Sequence, residues 1–411
     1  MSRRVVVTGM AGLSPIGQDW KQASDALHRG RSGITRIPQW EEVEGLETRL
    51  GARVCDFETP EYYPRKKTRA MGRVSLMATR AAELALRDAE LLDDPVLGSG
   101  RCGVSYGSSS GSPPAIGVYA RQLFVGRTTR GIGANDYLKF MSHTTAANLA
   151  QFFGVKGRIV PSSSACTSGS QGIGFGYEAI KYGMQDVMLA GGAEELDDID
   201  AVVFDVLHAA STRNDEPERT PRPFDVDRDG LVAGEGAGCL VLEELEHARR
   251  RGAAILAEVI GFGTNCDGRH LTQPDPAGMA EVMRLSLADA GIGLDEIGYI
   301  NAHGTATETG DIAESRATHA VFGNATPVSS LKGHLGHTLG ACGALEAWMG
   351  IEMMREGWVV PSLNLDRVDP ECADLDYVRN EIRLLTFDTF MTNNFAFGAV
   401  NTSLVFRLFN E

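Results

Sequence analysis

The segment SSSACTSGSQGIGFGYEAIKYG, residues 162–183, runs from serines through a turn into a helical pattern of small residues and ends at glycine. The segment SSLKGHLGHTLGACGALEAWMGIEMMREG, residues 329–357, has the same design. The similarity of these two segments indicates that the chain has two similar halves. Each half would begin with a strand, VVVTGMAGL near the start of the chain and AEVIGFGTN at residues 257–265. We predict halves of residues 1–254 and 255–411. Because many α/β turns look alike, this similarity alone does not establish a duplication.

The rest of the chain fits α/β architecture. Short β-branched runs end in glycine-rich turns and lead into helical patterns, which predicts strands buried on both faces of a sheet. The predicted strands are Arg4–Thr8, Gly103–Tyr106, Asp186–Leu189 and Tyr299–Ala302. Alanines and leucines at helical spacing predict an amphipathic helix over Leu76–Leu91. The acidic runs at 41–47 and 194–200 are expected to be solvated.

Composition narrows the classes of function. The 411 residues carry a net charge of −15, which argues against nucleic acid as a partner. No stretch has the pattern of a signal peptide or a membrane span, so a cytoplasmic protein with no membrane partner is expected. Seven cysteines form no paired framework, and six of them are interpreted as small buried residues in a reducing compartment.

Cys166 is the exception among these cysteines, because it lies among small residues directly before a helical pattern. The positive end of a helix dipole is expected to lower the pKa of a thiol there. Free amide N–H groups at the same turn could stabilise an oxyanion. A buried structural cysteine remains the alternative from this segment alone.

Two further segments carry histidines at comparable turns. His303 follows an apolar strand in NAHGTATETGD, and His337 follows Lys332 and His334 in LKGHLGH. His334 and His337 lack a nearby third ligand at zinc spacing, so no catalytic metal is predicted. Taken singly, each histidine could equally be structural.

In this order, the motifs resemble those of the β-ketoacyl-acyl-carrier-protein synthases, the elongating condensing enzymes of classes I and II in the thiolase superfamily. The resemblance spans essentially the whole chain through SSACTS, AGGAEEL, RPFDVDRDGLVAGEGAG, NAHGTATETGD, LKGHLGHTLGACG and NNFAFGAVN. It implies an α/β, thiolase-like five-layered αβαβα sandwich of two similar halves, with the active site between them.

The resemblance also implies roles for individual residues. Cys166 matches the acylated nucleophile, and His303 and His337 match the two active-site histidines. Lys332 matches the active-site lysine, a charge expected to orient the site together with Glu314, the acidic residue that supports His303.

Other matched positions concern the binding of substrate and partner. Phe397 matches a gating phenylalanine whose backbone N–H forms an oxyanion hole with that of Cys166. The remaining matches are pantetheine contacts at Thr305 and Thr307, a monovalent cation site at Asn301, Glu346 and Thr392, and carrier-protein docking at Arg65, Lys66, Arg69, Arg127 and Arg130.

The implied reaction is a decarboxylative Claisen condensation of an acyl chain on Cys166 with malonyl-acyl-carrier protein. The substrates travel on carrier-protein phosphopantetheine, and no cofactor of the enzyme's own is expected. A homodimer is implied, and a heterodimer with a related ketosynthase-like subunit stays open. So do class I against class II, and fatty acid against polyene or polyketide elongation. The rival functions are a non-catalytic chain-length factor, which would lack the nucleophile, a degradative thiolase and a cysteine hydrolase.

Overall fold

The computed structural model describes residues 2–410, in which strands alternate with helices along the chain. The strands are β1 Val5–Leu13, β2 Ile34–Arg36, β3 Leu50–Ala52, β4 Cys102–Gly107, β5 Ile159–Ser162, β6 Val187–Glu194, β7 Gly236–Glu244, β8 Ala257–Cys266, β9 Tyr299–Asn301, β10 Pro327–Ser329, β11 Trp358–Val359, β12 Asp376–Tyr377, β13 Arg383–Leu384, β14 Thr389–Ala396 and β15 Val400–Arg407. The helices are α1 Trp20–His28, α2 Arg65–Thr68, α3 Arg73–Asp88, α4 Pro113–Ala120, α5 Ala134–Phe140, α6 Thr144–Phe153, α7 Ser168–Lys181, α8 Asp198–Val206, α9 Leu245–Arg250, α10 Pro276–Ala290, α11 Glu308–Phe322, α12 Lys332–Leu335 and α13 Cys342–Glu356.

The two halves of the chain have the same strand order. The first half is arranged as β5-β4-β6-β7-β1 and the second as β10-β9-β14-β15-β8, with β12 added beyond β10. In both halves the first three strands in these orders are parallel and the last two pairings are antiparallel. The halves join where Val5–Val7 of β1 pairs with Ala257–Val259 of β8.

The helices complete five layers. Helices α7 and α13 contact each other and lie between the two half-sheets, α7 against β6 and β4, and α13 against β7 and β14. Helices α3 and α6 cover the outer face of the first half, and α10 and α11 cover that of the second. The predicted αβαβα sandwich of two similar halves is therefore confirmed, while the boundary at residue 254 stays a prediction.

Close packing explains why the middle layer is rich in small residues. A Cβ added to Gly169 of α7 would lie 2.8 Å from the carbonyl oxygen of Gly340, and one on Gly172 would lie 2.2 Å from that of Gly191. Since real Cβ atoms do not approach so closely, the helices can reach each other and β6 only with glycine at these positions.

The predicted strands are present, but two of them continue through glycines that the sequence analysis treated as turns. Strand β1 includes GMAG at residues 9–12, and β6 includes the pair Gly191–Gly192. A Cβ on Gly9 would lie 2.3 Å from the carbonyl oxygen of Ala85 in α3. These glycines therefore allow helices to approach the sheet. The helix predicted over Leu76–Leu91 spans Arg73–Asp88.

Two predictions about burial are wrong in part. Cys55 and Cys266 are exposed, so only four of the six cysteines interpreted as buried are so. In the acidic run at 194–200, Glu194, Glu195 and Asp200 are buried, because backbone N–H groups bind each carboxylate. Among residues 2–410, no helix has the length and apolarity that crossing a membrane requires.

Gly12 offers a test of the middle layer. A Cβ there would lie 2.1 Å from the ring of Trp348 in α13, so Gly12→Ala is expected to lower the free energy of unfolding by about 1–3 kcal/mol. Urea denaturation followed by circular dichroism measures this. Gly117→Ala is the control, because Gly117 lies inside α4 with no atom within 4 Å of its added Cβ, and it should be neutral or stabilising. Equal stability of the two variants would contradict the packing of α13 on β1.

Candidate active site

Cys166 lies in a tight turn, Ala165–Thr167, between β5 and α7. Ala165 has a φ of 49°, a left-handed conformation that is strained for a residue with a Cβ. The Ser168 hydroxyl holds this turn, because it donates to the Ala165 carbonyl at 2.7 Å and accepts from the Ser164 N–H at 2.9 Å. The turn fixes Cys166 at the start of α7 with only 6% of its surface exposed.

The two histidines predicted to share the site with Cys166 do so. His337 Nε2 lies 2.8 Å from Cys166 Sγ, and the His303 and His337 rings are 5.1 Å apart and nearly perpendicular. One side-chain nitrogen of each histidine and the thiol sulfur all lie within 4.8 Å of one another. The first half contributes the thiol and the second half both imidazoles, so the cluster forms only when the halves pack.

The protonation of the three groups follows from their burial. Burial raises the pKa of Cys166 to about 12, against a smaller lowering by Lys332, so the expected lowering of the thiol pKa is wrong for the free protein. Burial lowers the pKa of His303 and of His337 well below the usual value, and the charge of Lys332 adds to the effect. The site therefore holds a thiol and two neutral imidazoles at neutral pH.

Glu314, on α11, supports His303 through the backbone. Its carboxylate accepts from the N–H of His303 at 2.7 Å and from that of Gly304 at 2.6 Å. Burial raises the pKa of Glu314 to about 8, and the hydrogen bonds from the two N–H groups act in the opposite direction by lowering it. Glu314 thus fixes the loop that carries His303.

Lys332 forms its ion pair with Glu346. Its ammonium lies 2.5 Å from Glu346 Oε1 on α13, and both side chains are 1% exposed, whereas Glu314 is occupied by the His303 loop. Burial opposes the charge of Lys332, but Glu346 outweighs it and the pKa of the lysine is raised. Lys332 is therefore a buried cation, and Glu346 rather than Glu314 is paired with it.

Of the three residues matched to a cation site, two contact each other and the third is bound elsewhere. Asn301 Nδ2 donates to Thr392 Oγ1 at 3.0 Å, and Asn301 Oδ1 is buried without a partner, as a cation ligand would be. Glu346, however, accepts from Lys332 at one oxygen and from Asn394 Nδ2, at 2.7 Å, with the other. The donor set fits a cation only at Asn301 and Thr392, and the assignment stays a prediction.

A cavity of about 380 Å³ opens onto the cluster. Thr305 and Thr307 line it, with their hydroxyl oxygens 2.9 Å apart. Phe397 lines it as well, and its ring lies 5.8 Å from that of Phe204, another lining residue. The residues predicted to bind pantetheine and to gate the site thus share one cavity with the thiol.

The five predicted docking residues lie apart from this cluster. Arg65 and Lys66 belong to α2 and Arg69 follows it, while Arg127 and Arg130 follow a short helical turn at Arg121–Val125. All five are exposed, and none forms an ion pair with another described residue. Their charges are therefore available to an acidic surface.

The sequence analysis missed three neighbours of the cluster. Asn394 Nδ2 lies 3.4 Å from His303 Nδ1, the Phe395 ring faces the edge of the His303 ring at 6.0 Å, and Cys342 Sγ donates to the Cys166 carbonyl at 3.2 Å. Asn394 and Phe395 were within reach of the sequence analysis, since NNFAFGAVN puts two amides in a buried strand. Cys342 looked like any buried cysteine.

Comparison with known proteins places this site in a family. The model for the beta-ketoacyl synthase N-terminal domain matches residues 2–248, and that for the C-terminal domain matches residues 256–366. A beta-ketoacyl synthase from Burkholderia phymatum, known from its crystal structure, is 55% identical with a TM-score of 0.98, over 99% of this chain and 100% of that one.

Two further relatives extend the comparison. The 3-oxoacyl-[acyl-carrier-protein] synthase 2 of Vibrio cholerae is 38% identical over 98% of this chain and 99% of its own. A type II polyketide ketosynthase, solved in complex with its acyl-carrier protein, is 30% identical with a TM-score of 0.89, and the alignment covers all of both chains. This chain therefore belongs to the β-ketoacyl synthase family.

Proposed function

We propose that the chain is a β-ketoacyl-acyl-carrier-protein synthase that condenses an acyl chain on Cys166 with malonyl-acyl-carrier protein. The observation that carries the proposal is the meeting of one thiol and two neutral imidazoles in a cavity, 2.8 Å separating the thiol from the nearer ring. Relatives of the fatty acid type and of the polyketide type support chain elongation as the setting. A cytoplasmic location remains a prediction.

The first half-reaction moves the acyl group to the protein. Cys166 Sγ attacks the thioester carbonyl, the carbon–sulfur bond to pantetheine breaks, and the thiol proton ends on the departing pantetheine sulfur. His337 Nε2 lies 2.8 Å from Cys166 Sγ. The thiol proton passes directly to the pantetheine sulfur, so acylation is not expected to depend on this imidazole.

The second half-reaction forms the carbon–carbon bond. The malonyl thioester loses CO₂, its two bonding electrons become an enolate, and the enolate carbon attacks the acyl carbonyl on Cys166. The bond to sulfur then breaks. Neutral imidazole N–H groups of His303 and His337 stabilise the enolate oxygen as its charge develops, and the N–H groups of Cys166 and Phe397 receive the oxyanion. Thr305 and Thr307 hold the pantetheine arm by their hydroxyls.

The rival functions fit this site less well. A chain-length factor would lack the nucleophile, yet Cys166 and both histidines are assembled. A cysteine hydrolase pairs one histidine with a carboxylate or amide that orients it as a base, whereas here two imidazoles face the same space. The reaction proposed uses only side chains and backbone of this chain, together with substrates carried on phosphopantetheine.

We further propose that an acidic carrier protein docks on the exposed basic residues of the two segments at 65–69 and 127–130. The net charge of −15 would repel such a partner at long range. Within about 10 Å, the Debye length at 0.1 M salt, the local unpaired cations dominate the interaction. The polyketide ketosynthase solved with its acyl-carrier protein supports this kind of partner.

The chain is also proposed to form a homodimer. Strand β5 is the last strand of its sheet and pairs only with β4, so one of its edges has free backbone groups. Large apolar side chains are exposed in and before this region, namely Val118, Phe124, Val125, Tyr137 and Ile159. A second copy could cover both, and a ketosynthase of 26% identity solved with its chain length factor points to a related heterodimer as the alternative occupant.

Mass spectrometry of the intact protein tests the reaction. Acyl-carrier protein bearing an acyl chain should label Cys166, and malonyl-carrier protein should then consume the adduct with release of CO₂. His303→Ala and His337→Ala should still become acylated, but should lose condensation by about 10²–10³-fold, as expected when an oxyanion donor is removed. Cys166→Ala is the unlabelled control. Near-normal condensation in either histidine variant would overturn the enolate role.

Charge reversal tests the docking surface. Arg65→Glu together with Arg69→Glu should raise KM for carrier-bound substrate by about tenfold at low salt, because steering is lost. High salt should shrink the difference. The matched control reverses Arg250 and Arg379, which are exposed and lie outside both segments. An equal effect in the control, or none in the test variant, would contradict the proposal.

Light scattering of the purified chain tests the dimer. A mass of two chains is expected, and Phe124→Glu with Val125→Glu should shift it toward one chain, since these side chains are 71% and 80% exposed in the single chain. Leu384→Glu, 85% exposed on β13, is the control and should leave the mass unchanged. A single-chain mass at micromolar concentration would refute the homodimer and leave a hetero-partner to be sought.

A further inference from the structure

Asn394 lies within β14, two residues before its end, and is completely buried. Its amide nitrogen has three neighbours: Glu346 Oε2 at 2.7 Å, His303 Nδ1 at 3.4 Å and Cys342 Sγ at 3.5 Å. Its amide oxygen has no partner among the described residues. An unpaired buried carbonyl is costly, so stability alone does not account for an amide at this position.

Glu346 decides which way this amide faces. The carboxylate of Glu346 lies 2.5 Å from the Lys332 ammonium. Burial opposes both charges, but each charge stabilises the other and the pKa of Lys332 is raised, so we assign the pair its charged form. An ionised carboxylate can only accept hydrogen bonds. The group of Asn394 at 2.7 Å from it must therefore be the NH₂ end, because the oxygen there would place two acceptors in contact.

This orientation has a consequence for His303. The second hydrogen of the NH₂ group that donates to Glu346 has His303 Nδ1 at 3.4 Å and Cys342 Sγ at 3.5 Å as acceptors. A protonated Nδ1 would direct its own hydrogen at this donor, so Nδ1 is assigned as an acceptor. Since burial keeps the pKa of His303 well below its usual value, the ring is neutral and carries one proton. With Nδ1 as the acceptor, that proton resides on Nε2.

We infer that Asn394 is a positioning residue that holds His303 in the Nε2–H tautomer, through a buried chain running from Lys332 through Glu346 to the imidazole. The catalytic use of this tautomer rests on the proposed function, because an Nε2–H group is the donor that a developing enolate oxygen requires. The tautomer itself is a property of the free protein. No described residue forms a hydrogen bond with His337 Nδ1, so this arrangement acts on His303 and not on the second histidine.

A matched pair of substitutions isolates the hydrogen bond. Asn394→Val removes the donor, and Asn394→Thr has nearly the same shape with a hydroxyl that can donate. Both residues are β-branched and suit a strand position. The valine variant should lose kcat for malonyl-carrier decarboxylation by about tenfold, with little change in KM. This is less than the loss of about 10²–10³-fold for a removed oxyanion donor, because the imidazole remains. The threonine variant should recover part of it.

Nitrogen NMR of protein labelled with ¹⁵N-histidine gives a readout that is independent of turnover. A neutral imidazole shows different shifts for its protonated and unprotonated nitrogens, and the His303 signals are those absent from His303→Ala. The free protein should show a protonated Nε2 at His303, and Asn394→Val should show protonation spread to Nδ1.

Each outcome decides one claim. A protonated Nδ1 at His303 in the unaltered protein, or an unchanged tautomer in Asn394→Val, overturns the role of Asn394 whether or not the protein condenses acyl chains. The expected tautomer in a protein that fails to decarboxylate malonyl-carrier protein would instead refute the proposed function. If Asn394→Val does not fold, the spectrum of the unaltered protein still decides whether Nδ1 is the acceptor.

Discussion

The packing of α7 against α13 is the contact on which the rest of the structure depends. The two helices form the middle layer, and each begins directly after a tight turn, Ala165–Thr167 before α7 and Leu339–Ala341 before α13. Glycine permits their close approach, since a Cβ on Gly169 would lie only 3.1 Å from the backbone nitrogen of Ala344. Cys342, the first residue of α13, donates to the carbonyl of Cys166. The same contact that joins the halves therefore sets the distance from the thiol to the histidines.

Burial then determines the protonation states and the partners of the ionisable groups in the site. Burial keeps both histidines neutral, the charge of the buried Lys332 adds to this effect, and Glu346 balances that charge. Glu314 is committed to two backbone N–H groups, which leaves it no role as a partner for the lysine. A site that must stabilise a developing negative charge benefits from this arrangement, because neutral N–H donors and one compensated cation surround a cavity with no free carboxylate against the thiol.

Local signals predicted α/β architecture, because buried strands and small-residue helices can each be recognised within a short window. The five-layered sandwich was implied by the family resemblance, which the similarity of residues 162–183 to 329–357 did not establish by itself. Quantities set by tertiary contacts were not accessible in this way. The pKa of Cys166 was predicted from its place before a helix, but burial raises this pKa more than Lys332 and the backbone hydrogen bond lower it. Likewise, Lys332 is fourteen residues from Glu346 and eighteen from Glu314, and only the fold shows which carboxylate it meets.

The likeness of the halves raises the question of why only one of them is reactive. Leu339 stands at the same place before α13 as Ala165 before α7, with φ values of 46° and 49°, so Gly340 is the counterpart of Cys166. The N–H of Gly340 donates to Glu194 Oε2 at 3.0 Å, as does the N–H of Ser109 at 2.8 Å. A Cβ on Gly340 would lie 2.7 Å from that oxygen. A carboxylate from the first half therefore fills the second turn, where an oxyanion would bind, and excludes a nucleophile there. The first turn has no such carboxylate and opens onto the cavity, which leaves a single centre at Cys166.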